Sequence, residues 1–92
     1  MSDILIVDDE RDIRELISDI LEDEGYTTRR AGNSDEAMTA IAAEQPGLLI
    51  LDIWLKDSQM DGIDILKTVK RDYPDVPVVI ISGHGNIEIA VA

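Results

Sequence analysis

The residues best equipped for chemistry are Asp8, Asp9, Asp52 and Ser82, and each closes or follows a run of aliphatic residues. Asp8-Asp9 follow Ile4-Leu5-Ile6-Val7, Asp52 follows Leu48-Leu49-Ile50-Leu51, and Ser82 follows Val78-Val79-Ile80-Ile81. Three carboxylates at one edge would give a cation hard oxygen donors, and one could act as an oxygen nucleophile toward phosphorus. Two unit charges about 5 Å apart at an effective dielectric near 20 repel by roughly 3 kcal/mol, so such a cluster calls for a proton or a cation. Mg²⁺ suits it: it uses one or two carboxylates, keeps several waters, and neutralises charge on a phosphoryl group. A lone Asp at a strand end is commonly only a cap, as Asp9 would be for a following helix, and Ser before Gly is commonly only a turn. Three strands ending alike is the specific signal.

Such residues converge only if the aliphatic runs lie side by side and parallel. Runs of four large aliphatics cannot alternate inside and outside, so they read as strands buried on both faces of a parallel sheet. Between them the period changes to that of a helix. Ile13, Leu16, Ile17, Ile20 and Leu21 fall at i, i+3, i+4, i+7 and i+8, with Asp9 as the expected N-cap and Gly25 as the stop. Tyr26 to Arg30 is β-prone but polar, as an edge strand would be, its arginines discouraging edge-to-edge pairing. Asn33 with Glu36 reads as a capping box opening a helix through Glu44, with Ala37, Ile41 and Met38 inward. Asp61 is the expected cap of a third helix whose apolar face is Ile63, Leu66, Val69 and Tyr73. After Gly83-His84-Gly85-Asn86, Ile87 to Ala92 reads as the start of another helix, which leaves the strand at Val78–Ser82 beside an open edge. Strand and helix alternate four times with short connections, which predicts an α/β doubly wound parallel sheet. In such sheets ligands bind just beyond the carboxyl ends of the strands, where these acids stand.

Composition narrows the function. The chain has 92 residues, 45% hydrophobic and 3% aromatic with no Phe and no Cys, so one small aliphatic core is expected and no disulfide or thiolate metal site. Acidic residues outnumber basic ones by 20 to 8, a formal charge of −12, which argues against direct nucleic-acid binding and suits cations or basic partners. The N-terminus has neither the basic nor the long apolar region of a signal peptide, and no run approaches bilayer length; a cytoplasmic protein without a membrane span is the expectation.

The chain resembles the receiver domain of bacterial two-component response regulators. The resemblance is carried by Ile-Val-Asp-Asp-Glu at 6–10, Leu51-Asp52 followed by Met60-Asp61-Gly62, Pro77 leading into Val78-Val79-Ile80-Ile81, and Ser82-Gly83. It implies a receiver-like (βα)5 fold, here ending after the fourth strand, so that 1–92 would lack the fifth strand and fifth helix. It implies Asp52 as phosphoacceptor, and Mg²⁺ held by Asp8, Asp9, Asp52 and the backbone carbonyl of Trp54, with Asp8 acting through water. It implies Ser82 as the hydroxyl that contacts the phosphoryl group. The donor would be a phosphohistidine on a sensor histidine kinase, and the domain would catalyse its own phosphorylation and dephosphorylation without being a metabolic enzyme. Ser82 to Val91 is similar to the nitrogen-regulation branch of the NtrC type, in which AAA+ and DNA-binding output domains follow the receiver. The long Asp52–Gly62 loop with Ile53-Trp54-Leu55 is similar to the NtrX branch. The family's lysine at the end of its fifth strand has no counterpart, because Lys56, Lys67 and Lys70 lie in other segments.

Two other classes compete. An aspartyl-phosphate phosphohydrolase needs a second acid two residues after the nucleophile, where this chain has Trp54. A degenerate receiver would serve only as an interaction module, against which the intact acids and Ser82 argue. Self-association through the C-terminal face is expected of the open edge. His84, between two glycines, reads as a solvent-facing turn residue.

Overall fold

The computed structural model describes residues 3–52, 62–83 and 87–91, with backbone alone for 82–83 and 87–91. In chain order the elements are β1 (Ile4–Val7), α1 (Arg11–Asp23), β2 (Thr28–Ala31), α2 (Ser34–Ala43), β3 (Leu48–Asp52), α3 (Gly62–Asp72), β4 (Val78–Gly83) and β5 (Ile87–Val91). The sheet order is β2-β1-β3-β4-β5, with the first four strands parallel. The chain winds outward from β1 to β2, then back across to β3, so the order reverses between β1 and β3. That reversal opens a crevice at the carboxyl ends of these two strands.

Strand pleating sends alternate side chains to opposite faces. Leu5, Val7, Leu49, Leu51 and Val78 share one core with Ala37 and Ile41 of α2 and Ile65 and Val69 of α3. Met38, Leu66, Tyr73 and Ile80 pack against it half-buried. Ile4 and Ile6 are buried on the other face, where α1 packs on β1 and β2. The aliphatic core expected of the composition is what forms.

Helix α1 departs from its sequence pattern. Ile17 and Leu21 are half-buried, but Ile13, Leu16 and Ile20 are 37%, 56% and 55% exposed. The residue most deeply set in the helix is Ser18, whose Oγ lies 2.6 Å from Thr28 Oγ1 on β2. The apolar stripe is wider than the strip of sheet that α1 covers. Its N-cap is Glu10, not Asp9, and makes no side-chain cap. Its C-terminus closes as expected: Gly25 has φ +94°, Tyr26 N–H donates to Leu21 O at 3.0 Å, and Gly25 N–H donates to Glu22 O at 3.0 Å. This is the Schellman arrangement that a residue in the left-handed region permits.

At α2 the Asn33 side chain accepts from Glu36 N–H at 2.8 Å, as the capping pattern predicts. Glu36 reaches one residue further back than a capping box requires, its Oε1 accepting from Gly32 N–H at 2.7 Å. Edge strand β2 is polar as expected, yet Arg29 does more than guard an edge. Its Nη1 and Nη2 donate to Ala40 O and Glu44 O, both at 2.7 Å, and its Nε pairs with Asp3. The guanidinium thereby caps the end of α2, sharing the Ala40 carbonyl with Glu44 N–H and taking up the Glu44 carbonyl beyond it.

Two further expectations are corrected. In α3 the buried face is Gly62, Ile65 and Val69, while Ile63 is exposed; Asp61 lies outside the described residues. Residues 87–91 do not open a helix. They form β5, antiparallel to β4, pairing Gly83 with Ile87 through Val79 with Val91. The edge of β4 is therefore paired by this chain itself. A helix of six residues is a costly nucleus, whereas the same residues as a strand satisfy the backbone groups along β4.

Candidate functional site at the ends of β1 and β3

The ladder between β1 and β3 pairs Val7 with Leu51, so the next residues, Asp8 and Asp52, stand side by side at the carboxyl edge. Asp9 follows Asp8 out of the strand. One carboxylate oxygen from each of Asp8, Asp9 and Asp52 lies within 4.8 Å of the others. Asp8 and Asp52 are 5% and 8% exposed, so this end of the crevice is closely walled. Oxygens on opposite sides of an octahedral Mg²⁺ stand about 4 Å apart, given metal–oxygen distances near 2.1 Å. The three acids therefore match a small hard cation in donor chemistry, and their oxygens would draw in to reach that span.

Asp8 is held at three points. Its N–H donates to Ala31 O at 3.2 Å, extending the β1–β2 ladder by one bond. Its Oδ1 accepts from Glu10 N–H at 2.8 Å, bending the chain toward α1. Its carbonyl accepts from Arg14 Nη1 at 2.7 Å. Burial pushes the Asp8 carboxyl up to about 6, against the Glu10 hydrogen bond that favours its anion. The negative fields of Asp52, Asp9 and Glu10 add to the rise. An acid displaced upward by burial and by neighbouring acids is one that a bound cation would return to its anionic form.

On β4, Ile81 pairs with Asp52, which sets the Ser82 backbone one step beyond the acid on the adjacent strand. The Ser82 side chain lies outside the described atoms, and Trp54 and His84 lie outside the described residues. Lys70 is engaged elsewhere, its Nζ donating to Val76 O at 3.1 Å. The pattern of runs located Asp8, Asp9 and Asp52. It missed Arg14, whose partner is a backbone carbonyl six residues earlier, a contact without a sequence signature.

The family model of the response regulator receiver domain matches residues 4–92. The chain belongs to the response regulator receiver family. Among its relatives, the nitrogen assimilation regulatory protein NtrX of Azorhizobium caulinodans is 60% identical over 90 residues, 98% of this chain and 20% of that protein. An NtrX-like response regulator of Rickettsia bellii is 54% identical over 89 residues, 97% of this chain and 19% of that protein. The crystal structure of the receiver domain of NtrX from Brucella abortus superposes with a TM-score of 0.87 at 54% identity, covering 91% of this chain and 70% of that one. This receiver thus spans about a fifth of the length of the curated relatives it matches. Receivers are the phosphoacceptor domains of two-component systems, and this one is similar to the receivers of nitrogen-regulation proteins. Among the described residues no helix is long and apolar enough to cross a membrane.

Proposed function

We propose that Asp52 takes the phosphoryl group from a phosphohistidine of a sensor histidine kinase, with Mg²⁺ held by Asp8, Asp9, Asp52 and the Trp54 carbonyl. The observation that carries this reading is the convergence of the three carboxylates, within 4.8 Å, at the point where the strand order reverses. Asp52 ends a strand paired on both sides, so its carboxylate is delivered on a rigid support, as positioning for in-line attack requires. Its oxygen attacks phosphorus: a P–O bond forms, the P–N bond to the kinase imidazole breaks, and the imidazole keeps the electron pair and takes up a proton. The cation, when bound, offsets the charge gathered between the carboxylates and the phosphoryl oxygens. Asp8 contributes through a bound water, and the Ser82 hydroxyl donates to the phosphoryl group. The phosphorylated domain then acts on AAA+ and DNA-binding output domains of a longer cytoplasmic regulator.

The test is labelling by a small acyl phosphate with Mg²⁺. The wild-type chain should acquire an acid-stable, hydroxylamine-sensitive phosphoryl group, and Asp52→Asn, of similar shape but far weaker nucleophilicity, should not. Undiminished labelling of Asp52→Asn would remove Asp52 from the role.

A further inference from the structure

We infer that Arg14 is a positioning residue for the acidic pair, setting through the Asp8 carbonyl the direction in which Asp8 and Asp9 present their carboxylates. This rests on the proposed reading of Asp8, Asp9 and Asp52 as a Mg²⁺ site.

Two observations carry the inference. Arg14 sits in the second turn of α1, and side chains on a helix lean toward its N-terminus, so its guanidinium reaches back past Glu10 to Asp8. The bond is short, 2.7 Å from Nη1 to the carbonyl, and joins a charged donor to the one backbone acceptor between the two acids. Fixing that carbonyl fixes the plane of the Asp8–Asp9 peptide, because the peptide group is planar. The Asp8 N–H bond to Ala31 and the Glu10 N–H bond to the Asp8 carboxylate fix the residue on its other sides. Arg14 adds a charged tie to the peptide that joins the two acids.

The second observation is the space made for the guanidinium. It lines a crevice of about 190 Å³ together with Arg11, Glu15, Arg30, Gly32 and Glu36. A Cβ at Gly32 would stand 3.0 Å from Arg14 Nη1 and 3.3 Å from its Cζ. Gly32 thus leaves the room that Arg14 occupies, and the N–H of the same Gly32 is tied to Glu36. Arg14 acts on the backbone.

The test compares Arg14→Met, Gly32→Ala and Arg29→Met with the wild-type chain, using Mg²⁺ affinity by calorimetric titration and thermal unfolding in chelator. Outer-shell partners of metal ligands typically change affinity by 10- to 100-fold. Arg14→Met is expected to weaken Mg²⁺ binding about tenfold by that measure. Gly32→Ala keeps the charge and displaces the guanidinium, so it should weaken binding in the same direction. Arg14→Lys, which retains a donor on a long stem, should recover part of the loss. Arg29→Met removes an equally well-bonded arginine at the opposite end of the sheet and should lower the melting temperature without altering Mg²⁺ affinity. Wild-type affinity in Arg14→Met and Gly32→Ala would overturn the inference, as would affinity lost in proportion to stability in all variants, Arg29→Met included. If Arg14→Met does not fold, Arg14→Lys and Gly32→Ala decide the matter by the same affinities. Failure of the wild-type chain to bind Mg²⁺ would instead refute the site itself.

Discussion

Asp8→Asn should make the metal-free domain more stable while weakening its hold on Mg²⁺. In the folded chain the Asp8 carboxyl is displaced upward from 3.8 to about 6, chiefly by burial and secondarily by Asp52 and the other acids. Because the folded value lies above the unfolded one, the folded state binds the extra proton. Stability from this group is fully present below pH 3.8 and is lost as pH rises through about 6. A displacement of about two units corresponds to roughly 3 kcal/mol at neutral pH. Against a total stability of about 5–15 kcal/mol for a small domain, that is a large share. The amide of Asn keeps an oxygen that can accept from Glu10 N–H, the 2.8 Å bond in the wild type, and carries no charge. Chemical denaturation in chelator should therefore show Asp8→Asn more stable at pH 7 by about 2–3 kcal/mol, the advantage shrinking toward zero near pH 4. With saturating Mg²⁺ at pH 7 the order should narrow or reverse, since ligand binding stabilises the chain that binds it. A variant no more stable than wild type at pH 7 in chelator would refute the claim that repulsion and burial strain this corner.

Arg29→Met should destabilise the domain by about 2–3 kcal/mol, because two helix-end carbonyls and the Asp3 carboxylate lose charged partners; denaturant midpoints measure it. Gly25→Ala should cost about 1–2 kcal/mol, since φ +94° is strained for any residue with a Cβ although the space there is open; thermal unfolding checks the sign. Asp9→Ala should weaken Mg²⁺ more than Ser82→Ala does, because only the acid is a proposed ligand. Equal affinities in calorimetric titration would count against that assignment.

Much of the fold was legible because burial on two faces leaves an unbroken trace. Ile4–Val7, Leu48–Leu51 and Val78–Ile81 are continuous aliphatic runs, and each forms a strand of the parallel sheet. The acids at their ends could be located because the parallel register fixes which strand ends are neighbours. Helix faces were less legible. In α3 the series Ile63, Leu66, Val69, Tyr73 and the pair Ile65, Val69 both fit a helical stripe, and only packing against the sheet selects Ile65. In α1 the apolar stripe exceeds the surface that covers it, and Ser18, polar by type, is the residue packed against β2. Ile-Glu-Ile-Ala-Val at 87–91 alternates with the period of a strand, yet its state depends on the edge of β4, a partner remote from local propensity. Arg14 and Arg29 act on backbone carbonyls, which every residue carries, so no pattern of side chains announces them.

The central claim is that Asp52 is the residue phosphorylated, and chemical trapping of the acyl phosphate tests it most directly. The chain is incubated with a small acyl phosphate and Mg²⁺, then reduced with borohydride, which converts a phosphorylated aspartate to homoserine. Peptide sequencing by mass spectrometry should find homoserine at position 52, dependent on Mg²⁺. Homoserine at position 8 or 9 instead, or none in a folded chain that binds Mg²⁺, would contradict it.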